Sequence, residues 1–82
     1  MIRQQSMHEA IVDGVITARV RAALAEDSIT SCHEIRVETL AGIVKLTGFV
    51  ETTIVRSEAL QVVEHIDGVL RVEDLLDVRD PE

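Results

Sequence analysis

The stretch Glu34 to Val50 constrains the fold more than any other. Ile35, Val37 and Thr39 alternate with Arg36, Glu38 and Leu40. Beyond Ala41-Gly42, Val44, Leu46 and Val50 alternate with Lys45, Thr47 and Phe49. Alternation with a period of two on both sides of a turn signal predicts two antiparallel strands, each with one buried face. Gly42 supplies the turn, because glycine tolerates the positive φ that tight hairpins require. A hairpin of this kind cannot bury its apolar face alone, so other segments must cover it.

The flanking segments have helical spacing. Val12, Ile16, Val20, Ala23 and Leu24 form a stripe, with Arg19, Arg21 and Glu26 off it, which predicts one helix ending near residue 26. Two starts are available. Ser6-Met-His-Glu9 fits a capping box, and Asp13 is also a good N-cap. Residues 1–5 carry no pattern, and Gly14 weakens the first turns by about 1 kcal/mol. After a polar connection over residues 27–33, Thr52 or Thr53 caps a second helix. Its stripe is Val55, Ala59, Val62, Val63 and Ile66, and Gly68 is expected to end it as a left-handed cap. A third strand over Val69–Val78 puts Val72, Leu76 and Val78 on one face and Arg71, Glu73, Leu75 and Asp77 on the other.

These elements give an α+β, two-layer α-β-β-α-β sandwich: a three-stranded mixed sheet with two helices on one face. The crossover through the second helix is expected to be right-handed and to make strand three parallel to strand two. Which strand lies in the middle is left open. The 82 residues suffice for one small domain, which buries roughly 60% of its unfolded surface. The expected organisation is an N-terminal extension over residues 1–12, with a helix start available at Ser6, a single domain over 13–78 and a tail over 79–82. Phe49 is the sole aromatic residue, so the core is aliphatic.

The net charge of −7 argues against generic nucleic-acid binding and disfavours electrostatic docking to anionic lipid. Cys32 has no second cysteine to pair with inside the chain. No secretory signal pattern opens the sequence, so a chain with this start is expected to remain cytoplasmic, and to be periplasmic if the domain is excised from an exported protein. His8, His33 and His65 are scattered. Cys32-His33 provides two adjacent potential ligands where structural zinc takes four. Glu73, Asp74, Asp77 and Asp80 lack the spacing of a calcium loop. Gly42 and Gly48 bracket a strand and do not open a helix, unlike a phosphate loop. No catalytic, cofactor or metal residue is therefore assigned.

One ordered set of residues resembles a known family, the BON domain, named for bacterial osmotic-shock and nodulation proteins. The set runs Asp13, Ile16, Val20, Ala23-Leu24 and Asp27; Ile35 and Val37; Gly42, Val44, Leu46, Gly48 and Val50; Arg56 and Ala59; Gly68-Val69, Val72, Leu76 and Val78. It covers residues 13–78. Asp74 stands where the family often has Asn. The resemblance implies the same α-β-β-α-β order and a non-enzymatic bacterial module, with roles proposed for relatives in phospholipid or envelope association and in protein interaction.

The sheet face opposite the helices is the expected interaction surface. It carries Leu40, Ile43, Lys45, Phe49 and Leu75, with Arg36, Thr47 and Arg71 among them. A contiguous apolar patch on such a face suggests a partner: a phospholipid surface, a protein or a second copy of the chain. The chain's own N-terminal arm or tail is the alternative cover. A small-ligand or cation-sensing module, attached to or acting with another domain, is the alternative function.

Overall fold

The computed structural model describes residues 7–80. The elements are α1 (Met7–Glu26), β1 (Ile35–Leu40), β2 (Ile43–Thr52), α2 (Thr53–Glu64) and β3 (Arg71–Asp80). The sheet order is β1-β2-β3. The β1–β2 pair is antiparallel and the β2–β3 pair is parallel. The strand in the middle, which the sequence leaves open, is thus β2.

Both helices lie on one face. Ile16, Val20 and Leu24 from α1 and Val55, Ala59 and Val63 from α2 pack with Val37, Val44, Leu46, Val50 and Leu76 from the strands. Leu46, Val44, Val20 and Val63 are fully buried, while Val62 and Ile66 pack at the margin of this core. Polar contacts tie each helix to the same sheet face. The Thr17 hydroxyl donates to that of Thr39 at 2.8 Å, and the Arg56 Nε–H donates to the Asp74 carboxylate at 2.6 Å. The same carboxylate accepts from the Leu76 amide at 3.0 Å. Asp74 therefore serves both as an acceptor for the β3 backbone and as a charge opposite Arg56.

The hairpin turn is a two-residue loop. Leu40 pairs with Ile43, and Ala41 and Gly42 have φ of 53° and 80°. Positive φ at both central positions matches the twist of the strands, but it costs alanine roughly 1–2 kcal/mol. The Asp13 carboxylate offsets that cost by accepting from the Ala41 amide at 2.8 Å and from the Gly42 amide at 3.0 Å. Gly42 also returns its carbonyl to the Leu70 amide at 2.8 Å, where the chain enters β3.

Several local expectations are corrected. Asp13 is not an N-cap, because α1 is already helical from Met7 and Asp13 is buried in its middle, serving the hairpin turn. Ser6 of the capping box lies outside the described residues. Val12 is not buried but 40% exposed, since the covered stripe runs through Asp13, Ile16, Val20 and Leu24. Thr52 is the N-cap of α2, its hydroxyl accepting from the Val55 amide. Gly68 does not end that helix. The helix stops at Glu64, where tighter bonds from the His65 and Ile66 amides to the Val62 and Val63 carbonyls close the last turn. Gly68, with φ of 95°, then turns the chain toward β3, which begins two residues later than expected and reaches Asp80.

Candidate interaction surface

The register places the outward side chains in rows across the sheet. Leu40, Ile43 and Arg71 form one row. Glu38, Lys45 and Glu73 form the next, then Arg36, Thr47 and Leu75, and finally Phe49 beside Asp77. Leu40 and Phe49 are each 64% exposed and Leu75 is 54% exposed, whereas Ile43 and Lys45 are half-buried by their neighbours.

The five residues singled out from the sequence therefore share one face but do not form one patch. Leu40 and Ile43 make an apolar pair beside the turn, and Phe49 and Leu75 make another toward the far end. With a rise of roughly 3.3 Å per residue, Ile43 and Phe49 stand about 20 Å apart along β2. Lys45 lies between the pairs. Its ammonium is 3.1 Å from Glu38, and Arg71 reaches Glu73 at 3.7 Å. Exposed ion pairs of this kind add little stability. Their effect here is to divide the apolar surface with a charged row. Beside it lies a shallow depression of about 570 Å³ lined by Glu38, Leu40, Ile43, Lys45 and Glu73. Residues 1–6 and 81–82, which include the alternative covers, lie outside the described residues.

The helical side has features that sequence reasoning missed. Met7, Ile11 and Val15, four apart on the outer face of α1, are 80%, 61% and 44% exposed. Their spacing is itself a helical stripe in the sequence, beside the one that forms the core. Behind α1, Asp27 organises the following turns by accepting from the Ile29 and Thr30 amides at 3.1 and 3.0 Å. The buried Thr30 hydroxyl donates to the Leu24 carbonyl at 2.7 Å, closing the end of α1. Across from this turn, Glu58 of α2 faces Asp27, and its carboxyl, when protonated, can donate to the Asp27 carboxylate. That bond raises the Glu58 pKa and, with the Thr30 and Ile29 amides, lowers that of Asp27.

Cys32 is a free, exposed thiol beside the half-buried His33. His65 faces the Gln61 carbonyl, 2.7 Å from its Nδ1. Among the described residues, no three His, Cys, Asp or Glu side chains come together as a metal site, and no helix is long and apolar enough to cross a membrane.

A small two-layer domain with a buried aspartate holding a hairpin turn, and with one sheet face left uncovered by the described residues, is the class that this geometry defines. The BON domain model matches residues 12–80, and the chain belongs to the BON domain family. The chain is also similar to the osmotically-inducible protein Y of Escherichia coli strain K12. The two are 41% identical over 68 residues, which cover 83% of this chain and 34% of that protein. The chain thus spans about a third of the length of that relative.

Proposed function

We propose that this BON domain is a non-enzymatic interaction module. It docks through its open sheet face on a phospholipid or envelope surface, or on a protein partner. The observation that carries this reading is the contrast between the two faces of one sheet. Val37, Val44, Leu46, Val50 and Leu76 are sealed under both helices, while Leu40, Phe49 and Leu75 remain more than half exposed on the other side. Large apolar side chains held on a rigid sheet lose little conformational entropy on docking, and aromatic residues are enriched among binding anchors. The charged row between the two apolar pairs favours a partner with complementary polarity over a purely apolar one. The name of the osmotically inducible relative supports a setting in bacterial osmotic stress.

The double change Phe49→Ser and Leu75→Ser tests the proposal. Both side chains point away from the core, so circular dichroism and melting should stay near wild type. Co-sedimentation with phospholipid vesicles, recovery of a protein partner, and self-association in the centrifuge should reveal at least one interaction of the wild type that the variant weakens. If the variant matches the wild type in all three, the open face is not the docking surface.

A further inference from the structure

We propose that the end of the sheet holds a second binding site, for a small organic anion that carries an apolar group. The site follows from unequal strand lengths. The β1 ladder ends where Ile35 meets Gly48, whereas β2 continues to Thr52 alongside β3. Gly48 fixes that end. Its φ is 127°, and a Cβ there would lie 2.6 Å from the Glu34 carbonyl oxygen, so only glycine lets the incoming chain cross so closely. Beyond the crossing, residues 49–52 have no β1 partner. The end of α1 and the connection after it line the space beside them, leaving an open groove of about 890 Å³. That volume lies within the roughly 300–1,000 Å³ of small-molecule sites.

Three of the described arginines gather at this groove, while Arg19, also without an ion pair among the described residues, lies outside it. Lys45, Arg56 and Arg71 are each paired with a carboxylate. Arg21 from α1, Arg36 from β1 and Arg79 from β3 all line the groove, and none makes an ion pair among the described residues. Glu34 and Glu51 share the lining but pair with none of the three. Three unpaired guanidiniums in a chain of net charge −7 are suited to phosphate or carboxylate oxygens, which they can grip with two parallel bonds. The Nδ1 atom of His33, also in the lining, is buried without a hydrogen-bond partner. Phe49 offers a ring at the same place, which sets the apolar part of the ligand.

Phenyl phosphate is the probe, with inorganic phosphate as the ringless control. Amide spectra of the full chain should show saturable shifts confined to the groove around residues 21, 33, 36, 48–51 and 79. Phenyl phosphate should bind more tightly than phosphate. Arg21→Gln and Arg79→Gln should each weaken binding about tenfold without lowering the melting temperature, because both side chains are exposed. Lys45→Gln, outside the groove, should not. Cys32, exposed in the same lining, gives an independent readout: bound phenyl phosphate should slow its alkylation. Arg21 is not on the open sheet face, so loss of anion binding in Arg21→Gln with vesicle or partner docking intact separates the two sites. Non-saturating shifts spread over every arginine, equal affinity of phosphate and phenyl phosphate, or full binding by both arginine variants would overturn the proposal.

Discussion

The Asp13 carboxylate, buried in the middle of α1, accepts the Gly42 amide at 3.0 Å across 29 positions of sequence. Together with the bond from Ala41, this contact ties the first helix to the hairpin turn and holds an alanine in a left-handed conformation. One side chain thereby links the position of the helix to the conformation of the turn. Its burial is tolerated because backbone donors meet the charge.

Removing that acceptor should be costly. Asp13→Ala leaves two amides without their partner and should lose about 2–3 kcal/mol in urea unfolding. Asp13→Asn keeps one acceptor oxygen and should fall between the variant and the wild type. A loss under about 0.5 kcal/mol for alanine, the range of ordinary surface changes, would mean that the turn does not depend on the helix.

Leu46 lies at the centre of the core with no exposed surface. Leu46→Ala should cost about 2–5 kcal/mol, enough to threaten a domain of this size. Calorimetric melting checks it, and a near-native melting temperature would contradict the packing described.

The Glu58–Asp27 pair predicts a pH dependence. The raised Glu58 pKa, from the usual 4.5, gives stability that is present below the unfolded value and lost as pH rises through the folded one. The lowered Asp27 pKa, from 3.8, gives stability present above its unfolded value and lost as pH falls through the folded one. The pair is best satisfied in mild acid, with Glu58 protonated and Asp27 ionised. Glu58→Gln keeps a donor at every pH, so its melting temperature should exceed that of the wild type at neutral pH, the difference shrinking toward about pH 4. Both residues are half-buried at the rim of the domain and their carboxyls meet solvent, so the shift should be small. A variant less stable than the wild type at neutral pH would contradict it.

Much of the fold was legible because the strands obey a strict period. Ile35 to Leu40 and Ile43 to Val50 alternate cleanly, and Ala41-Gly42 leaves a two-residue turn as the natural connection. What was hidden depends on contacts distant in sequence. Nothing near Asp13 reveals that its partners lie at Ala41 and Gly42, and locally the residue has only its capping tendency to show. Gly68 looked like a helix stop, but Ile66 and Val69 had to reach the core, and the helix closed earlier at His65. The residues of the open face could be assigned from alternation alone. Their division by Lys45 and Glu38, and the groove left by a short β1, emerge only from the register.

The docking claim is tested most directly by methyl and aromatic spectra of the folded domain, recorded with phospholipid bicelles, with a recovered protein partner, and over a series of protein concentrations. In at least one of these conditions, the signals of Leu40, Ile43, Leu75 and the Phe49 ring should move together, while those of the sealed Leu46 and Val63 stay still. If those four remain unmoved throughout, or if Met7, Ile11 and Val15 on the outer face of α1 respond in their place, the open sheet face is not the surface through which this domain works.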